Sequence, residues 1–185
     1  MKPAVHIIAI DPSGAFHEGK GTTGMCIWNA IDGFVQEVAY ISARQYDMDI
    51  DYWQAHLSKL AEWRKTYPKS RVVIEDYFIY GQKAELHTNS RMETCQLIGI
   101  LKYYCAIHRI PYRMQAAAEV KRRWSDEILM HKGVIQKRGR LLTDKRKHHL
   151  NRHILDAIRH AVHAATFYNK EDETQWITQF CNAAM

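Results

Sequence analysis

Two acidic residues stand at the ends of predicted strands. Asp11 follows the apolar run over residues 5–10, and Glu75 ends the β-branched run over 71–75. If these strands are parallel neighbours, both carboxylates lie at the sheet edge where ligands of α/β proteins bind. Taken alone, an Asp before a proline is also typical of a turn, and a strand-end Glu of a solvent-exposed position. Together, two carboxylates held close favour a cation between them, and a divalent metal ion is the usual one.

A third acidic residue belongs to a row of histidines. The spacings of 4, 3, 4 and 3 place His149, His153, Asp156, His160 and His163 on one face of a helix. We interpret Asp156 as a metal ligand, with His153 one turn before it as a further ligand or a proton carrier. Two other interpretations remain open. His149 and His153 could form an i, i+4 zinc pair, or several of these histidines, above all His149 and His163, are ordinary surface residues.

An oxygen-rich set of ligands with one imidazole suits a particular chemistry. Carboxylates favour Mg²⁺ or Mn²⁺, and the imidazole shifts the preference toward Mn²⁺. Two such ions about 3.5–4 Å apart can hold the attacking water and the leaving oxygen of a phosphodiester. No covalent nucleophile is then needed, so the pattern predicts metal-assisted phosphodiester hydrolysis.

The positive charge of the chain is concentrated in one segment. The net charge is +6, and residues 119–152 contain eleven Lys and Arg against four Asp and Glu. A solvated helix face would explain such a run. Because Trp124 and four histidines at its edges (His131, His148, His149 and His153) accompany the charge, the segment also suits the phosphate backbone of a nucleic acid.

Periodicity and turn signals assign the elements that position these residues. Three strands form a meander, and later strands alternate with helices, an order that gives a mixed sheet with helices on its faces. We therefore predict an α/β protein with one domain, residues 1–185. Strands are predicted over 5–10, 24–30, 34–40, 71–75 and 110–113, helices over 49–67, 88–108, 116–130 and 144–168, and a polar, basic connection over 131–143.

Composition excludes several classes of protein. Of the 185 residues, 46% are hydrophobic, and no run approaches the roughly 20 apolar residues of a membrane span. The short apolar run near residue 5 is followed by no cleavage site, so no signal peptide is predicted. The four cysteines form neither a CxxC pair nor a regular framework, which is typical of a reducing compartment. We therefore expect a cytoplasmic protein with no membrane partner.

The motifs, taken in order, resemble the RuvC-type Holliday junction resolvases, which have the ribonuclease-H-like fold. The similar segments are IIAIDPSG, TTGMCIW, RVVIEDYF and HILDAIRHAVHAA. The loop after the first strand is longer than in that family, and a basic segment replaces the family's second-lysine segment, as expected of a divergent member such as a phage-encoded one. The matching residues are Asp11, Pro12, Thr23 and Gly24 in the first two strands, Glu75 and Phe78 at the next core strand, and His153 and Asp156 in the final helix.

The resemblance implies a mixed five-stranded sheet flanked by helices. It also implies a homodimeric endonuclease that nicks symmetrical strands of a four-way DNA junction in recombination and repair. The reaction would depend on Mg²⁺ or Mn²⁺, with two ions in each site and no small-molecule cofactor. Such an enzyme would act at the nucleoid in the cytoplasm, or in the host cytoplasm if it is phage-encoded.

Particular residues follow from this resemblance together with their chemistry. Asp11, Glu75, His153 and Asp156 would hold the metal, and Lys121 would join them in catalysis. Phe78 would stack on bases opened at the crossover, although core packing would also explain it. The predicted DNA contacts are Phe78, Lys121, Arg122, Arg123, Lys137, Arg138 and Lys145. The helix over 96–106 would help form the dimer, with Ile98, Ile100, Leu101, Tyr104 and Ile107 as interface candidates that core packing explains equally well.

Two alternative functions remain open at this point. Another nuclease with the ribonuclease-H-like fold, such as a branch or flap cutter or an enzyme that cuts RNA–DNA hybrids, would use the same carboxylates. A non-catalytic protein that binds branched DNA would need the basic segment but not the three acidic residues.

Overall fold

A five-stranded mixed sheet forms the centre of the molecule, as predicted. The computed structural model describes residues 5–77, 92–139 and 141–168, with the backbone alone at Arg138. The strands are β1 (His6–Asp11), β2 (Thr22–Asn29), β3 (Phe34–Ser42), β4 (Arg71–Asp76) and β5 (Tyr112–Ala116). They are ordered β3-β2-β1-β4-β5. The first three are antiparallel neighbours, whereas β1, β4 and β5 run parallel.

The register of the parallel strands brings their last residues to one edge. β1 and β4 are apolar and buried along most of their length, as expected for interior strands covered on both faces. Ile10 pairs with Ile74, so Asp11 and Glu75 are the next residue on each strand. Glu75 in turn pairs with Gln115 of β5. Three polar side chains thus lie side by side where three parallel strands end.

Helices cover both faces of the sheet and bury two apolar cores. On one face lie α1 (Asp49–Thr66) and α2 (Glu93–Ile107), against side chains such as Ile8 and Ile10. On the other lie α3 (Ala117–Arg123), α4 (Asp126–His131) and α5 (Arg152–Phe167), against Ile7 and Ala9. Because side chains alternate along β1, consecutive residues serve opposite cores.

The segment between β5 and α5 differs from the prediction. The single helix predicted over 116–130 is two short helices, because the chain turns at Trp124, whose side chain is buried, and Ser125 caps the second helix. The stretch over 131–143, predicted as an irregular connection, contains an antiparallel hairpin, β6 (Ile135–Arg138) and β7 (Leu141–Asp144). Its apolar residues, among them Ile135 and Leu142, pack against the α5 core.

The predicted helix boundaries also shift at two places. The last helix begins at Arg152 rather than at residue 144, since Asn151 caps it by accepting a hydrogen bond from the Ile154 amide at 2.8 Å. α2 begins at Glu93, and the first residues of the helix predicted over 88–108 lie outside the described part of the chain. None of the helices in the described ranges is long and apolar enough to cross a membrane.

Candidate active site

Three carboxylates from distant parts of the chain meet at the edge where β1 and β4 end. Asp11 and Glu75 come from these strands, and Asp156 comes from the first turns of α5, which crosses β1 and β2 and also contacts β4. Asp11 and Asp156 are 7% and 3% exposed. The negative charges of Glu75 and Asp156 both act on Asp11. The sheet edge is therefore a buried concentration of negative charge.

A glycine allows α5 to approach the sheet closely enough to complete this site. Gly24 pairs with Asp11 across the β1–β2 ladder. A Cβ atom at Gly24 would stand 2.1 Å from the backbone carbonyl carbon of His153, well inside contact distance. The helix thus rests directly on the backbone of β2, and this contact brings His153 and Asp156 to the carboxylates of the strands.

His153 pairs with Asp11. The two side chains are joined by a hydrogen bond of 2.9 Å from His153 Nδ1 to Asp11 Oδ2. Burial, and then the charges of Glu75 and Asp156, raise the pKa of Asp11 above its ordinary value, although the bond to His153 acts in the other direction. That same bond, with the negative charges of Asp11 and Asp156, raises the pKa of His153. The shift of the His153 pKa reflects the negative charge of the carboxylates around it.

Lys121 supplies positive charge between two of the acidic residues. It lies in α3, which begins just after β5 ends. Its Nζ stands 3.0 Å from Asp156 Oδ2 and 3.9 Å from Glu75 Oε2. One ammonium group therefore bridges Glu75 and Asp156, whereas the sequence predicted a divalent metal ion between Asp11 and Glu75.

Arg159 holds the other oxygen of Asp156. Its guanidinium forms ion pairs with Asp156 Oδ1 and Asp126 Oδ1, and its Nε donates to the Trp124 carbonyl at 3.0 Å. The bend between α3 and α4 thus places Trp124 and Asp126 against α5. Neither Arg159 nor Asp126 was singled out from the sequence, because the break in the predicted helix that brings them together was not foreseen.

His160 contacts Glu75 from inside the protein. Its side chain is 0% exposed. Nε2 donates to Glu75 Oε2 at 2.8 Å, and Nδ1 lies 2.8 Å from Gln115 Oε1. Gln115 was missed from the sequence because β5 was predicted to end at residue 113. Its position at the end of a third parallel strand is the signal that would have identified it.

The donor set fits a hard divalent cation by its chemistry. Three carboxylates and one imidazole are ligands that Mg²⁺ or Mn²⁺ accepts. Over residues 5–77, 92–139 and 141–168, however, no three His, Cys, Asp or Glu side chains are already arranged as the ligands of one ion. The carboxylates are instead paired with Lys121, Arg159, His153 and His160. Binding of a metal would require exchange of these partners, above all of Lys121.

The other histidines of the predicted row have different environments. His149 is exposed and precedes α5, so it does not share a helix face with His153 and the proposed i, i+4 zinc pair is not formed. His163 was expected on the surface, but it is 1% exposed. Its Nδ1 accepts from Trp124 Nε1 at 3.2 Å, and its Nε2 faces Tyr168 Oη at 3.3 Å. Burial lowers the pKa of His163 to about 4, so it is a neutral packing residue.

The predicted DNA contacts whose side chains the structure describes lie on the α3 side of the site. Arg122, Lys137 and Lys145 are exposed. Arg123 is also exposed, with its guanidinium 5.0 Å from the Phe167 ring and its Nε 3.4 Å from Glu119. Arg138 lies at the end of β6, where only the backbone is described, and Phe78 lies outside the described residues.

A cleft of about 400 Å³ opens beside Asp156, between α5 and the hairpin. Leucine side chains provide its apolar surface, and charged groups provide the rest. It gives access to Asp156 from the basic side of the molecule. The residues that line it are Lys121, Asp126, Leu142, Leu150, Asn151, Arg152, Leu155, Asp156 and Arg159.

The long loop after Asp11 is anchored to both helices of the other face. The Ser13 amide donates to Thr23 Oγ1 at 3.1 Å, and the Gly14 amide donates to Thr94 Oγ1 of α2 at 3.0 Å. From α1, Tyr52 Oη donates to the Ser13 carbonyl at 2.5 Å. The loop therefore extends the structured edge that carries Asp11.

Two solved structures share the fold of this chain. Thermus thermophilus RuvC in complex with a Holliday junction substrate matches with a TM-score of 0.62 and 12% sequence identity, over 87% of this chain and 92% of that one. The chain has the RuvC fold. A further Thermus thermophilus RuvC structure gives a TM-score of 0.60 and 13% identity, over 86% and 93% of the two chains.

The likeness to RuvC is one of structure. No protein-family model matches the sequence, and no curated protein matches it. At 12–13% identity the match to RuvC establishes the fold, including the mixed five-stranded sheet flanked by helices.

Proposed function

We propose that this protein is a metal-dependent endonuclease that cuts branched DNA, with the four-way junction as its substrate. The observation that carries the proposal is the convergence of Asp11, Glu75 and Asp156 at one edge of a RuvC fold, with Lys121 between two of them. The solved relative that holds a Holliday junction supports branched DNA as the substrate. A packing role alone would not explain three carboxylates gathered at a partly buried edge.

The side chains of the site have distinct roles in this proposal. Asp11, Glu75, Asp156 and His153 would hold Mg²⁺ or Mn²⁺, two ions in each site, which supply the positive charge needed to activate water and stabilise the phosphorane-like transition state. His153, already hydrogen-bonded to Asp11, can also carry a proton. Lys121, once released from Asp156, can reach toward the phosphate of the strand to be cut.

The basic surface next to the site would hold the DNA arms. Arg122 and Arg123 follow Lys121 in α3, and Lys137 and Lys145 extend the charge onto the hairpin. We assign Arg138 and Phe78 to the same contact surface from the sequence alone. The Lys and Arg contacts would go to phosphates, so they would position the substrate without reading its sequence, whereas Phe78 would stack on bases.

A homodimer would suit the two-fold symmetry of a four-way junction, because each subunit would cut one strand. Ile98 and Leu101 of α2 are buried in the core of their own subunit and do not serve as interface residues. Ile107 is 46% exposed, and Tyr103, four residues before it on the same helix face, is 64% exposed. We propose this outer face of α2 as the contact between subunits, with the protein acting on DNA in the cytoplasm.

Site-directed variants test the proposed activity. We expect Asp11→Asn, Glu75→Gln and Asp156→Asn each to reduce nicking of a synthetic four-way junction by orders of magnitude, because each removes one negative charge that holds the cation. Junction affinity, measured in the same buffer by mobility shift, should change little. Product mapping with and without Mg²⁺ or Mn²⁺ gives the cleavage positions.

The substrate is tested by comparing four-way junction, replication fork, RNA–DNA hybrid and linear duplex at one protein concentration. Preferential cutting of the hybrid or of the fork would assign the protein to another class of nuclease with this fold. Tight junction binding by a wild-type protein that never nicks in either ion would identify a binding protein instead. Equal losses of affinity and rate in the three variants would mean that the carboxylates maintain the fold.

A further inference from the structure

His160 is buried at the centre of the site but is not among the residues that match RuvC. It follows Asp156 by one helical turn, and its side chain is 0% exposed. Both ring nitrogens face oxygen atoms, Glu75 Oε2 and Gln115 Oε1, each at 2.8 Å. An imidazole held at both ends in the interior has a fixed orientation.

The direction of the bond to Glu75 follows from the chemistry of its partner. An ionised carboxylate only accepts hydrogen bonds, so His160 Nε2 carries the proton that points at Glu75 Oε2. On the other side, the buried Gln115 Nε2 has no hydrogen-bond partner in this arrangement. If the amide is turned over, that nitrogen donates to His160 Nδ1. In either arrangement Nε2–H donates to Glu75.

The hydrogen bond from His160 constrains the Glu75 side chain, which would otherwise rotate. A glutamate has three rotatable bonds, and ordering it carries an entropic cost. Gln115 is the neighbour of Glu75 across the β4–β5 ladder, so strand and helix together hold the imidazole in place. Lys121 approaches the same oxygen less closely, at 3.9 Å, and its side chain is 39% exposed. His160 is therefore the rigid partner of Glu75, and Lys121 the exchangeable one.

We propose that His160, oriented by Gln115, is a positioning residue that fixes the Glu75 carboxylate for binding of the divalent cation. The inference rests on the proposed function, since it concerns the same site. It assigns to His160 the role that buried hydrogen-bond donors have for ligating carboxylates in metal sites. His160 itself touches neither the ion nor the DNA.

Two substitutions of His160 distinguish the role of Nε2 from that of Nδ1. In His160→Gln the side-chain amide reaches the place of Nε2, so a donor to Glu75 is kept. In His160→Asn the amide reaches only the place of Nδ1, so the donor to Glu75 is lost. We expect Mn²⁺ affinity of the DNA-free protein, measured by electron paramagnetic resonance, to fall about 10- to 100-fold in His160→Asn and only a few-fold in His160→Gln.

A matched control comes from the same helix. His163 is equally buried but contacts Trp124 and Tyr168 rather than a carboxylate. His163→Asn should lower the unfolding temperature while leaving Mn²⁺ affinity unchanged. The unfolding temperature is measured for every variant, so that a general loss of structure is recognised.

Each outcome has a clear meaning. Equal Mn²⁺ affinity in wild type, His160→Asn and His160→Gln would overturn the inference, and so would equal losses in both variants that track the unfolding temperature. If the wild type itself neither binds Mn²⁺ nor nicks the junction, the proposed function fails, and the inference fails with it. A wild type that binds and nicks, with His160→Asn alone impaired, supports both.

Discussion

Single residues at the sheet edge are held in ion pairs that a substrate or a metal ion would rearrange. Lys121 is the clearest example, because its ammonium lies on Asp156 and near Glu75 while its side chain remains 39% exposed. Arg159, by contrast, is 13% exposed and tied to Asp156, Asp126 and the Trp124 carbonyl. The Lys121 and Arg159 side chains therefore differ in how easily they can be displaced from Asp156.

Lys121→Ala tests the exchange of partners directly. We expect junction binding to weaken and the slope of log affinity against log salt to flatten by about one unit, since one phosphate contact is lost. In the absence of DNA, Mn²⁺ should bind as tightly as in wild type or more tightly, because Nζ no longer competes for Asp156. Titrations over a series of salt concentrations, and paramagnetic resonance of Mn²⁺, measure the two effects.

Lys65→Ala is the control for this variant. Lys65 is exposed on α1, which covers the opposite face of the sheet, so its loss should leave both the salt slope and the Mn²⁺ affinity unchanged. An unchanged slope in Lys121→Ala would place Lys121 away from phosphate. A loss of Mn²⁺ binding in that variant would make its ammonium a part of the structure rather than a competitor.

At the scale of elements, the site depends on how α5 crosses β2. The helix is strongly amphipathic in sequence, with its apolar side buried on the sheet. The crossing point is Gly24, where a Cβ would meet the His153 backbone. The distance between helix and sheet at this point determines whether His153 and Asp156 reach the strand carboxylates.

Gly24→Ala should therefore affect stability and activity together. The added methyl group meets backbone atoms that belong to a helix, and such overpacking costs about 1–3 kcal/mol of unfolding free energy. Displacement of α5 should also lower junction nicking by more than the loss of folded protein explains. Urea unfolding and single-turnover nicking at a temperature where both proteins are folded measure the two effects.

Gly99→Ala is the matched control for the stability measurement, because Gly99 is exposed in α2 and an added Cβ meets no atom within 4 Å. It should preserve stability or raise it, since alanine favours a helix more than glycine does. If Gly24→Ala proved as stable and as active as wild type, α5 would not be limited by the contact at β2.

The elements between β5 and α5 show where local patterns are insufficient. A helix over 116–130 was predicted from a continuous run of helix-forming residues, but burial of Trp124 against α5 interrupts it. The run over 131–143 is polar and basic, so it gave little sign of a hairpin. Contacts of Ile135 and Leu142 with the core stabilise that hairpin, and those partners lie far away in the sequence.

For the whole molecule, a buried histidine couples stability to pH. His56 of α1 donates from Nδ1 to the Tyr52 carbonyl at 2.6 Å, and Nε2 pairs with Thr23 Oγ1 at 2.8 Å. Burial lowers the pKa of His56 from 6.5 to about 4. The folded protein therefore keeps this ring neutral at a pH where the unfolded chain would protonate it.

The difference between the pKa values of His56 in the folded and unfolded states sets how stability changes with pH. Above pH 6.5 both states leave His56 neutral, so its contribution to stability is fully present. As the pH falls from 6.5 toward 4, the unfolded state alone takes up the proton, and stability declines by up to about 1.4 kcal/mol per pH unit. In His56→Gln that part of the slope should disappear. Urea unfolding of both proteins across this pH window measures it.

An exposed histidine provides the comparison. His108 lies at the C-terminal end of α2 and is exposed, so His108→Gln should keep the slope of the wild type. If His56→Gln kept the slope as well, the pH dependence would come from other groups. Asp11 and His153, whose raised pKa values act in the opposite direction, are present in all three proteins and do not alter the comparison.

Local patterns along the chain are enough to predict the sheet, the order of its strands along the chain and the acidic residues at the strand ends. Apolar runs that stop at Asp11 and Glu75, and the period of the last helix around Asp156, are local patterns, and local patterns predict elements. The single-domain organisation and the roles of these residues stay predictions.

The cations and hydrogen-bond donors that hold those carboxylates, in contrast, are set by packing in the folded molecule. Three features bring the partners to Asp156 and Glu75: the bend after α3, the crossing of α5 at Gly24 and the register of β5. The partners are Lys121, Arg159 and His160. Each of these depends on packing between segments that are distant in the chain. Spacing along a sequence carries no information on such distances, because close packing in three dimensions sets them.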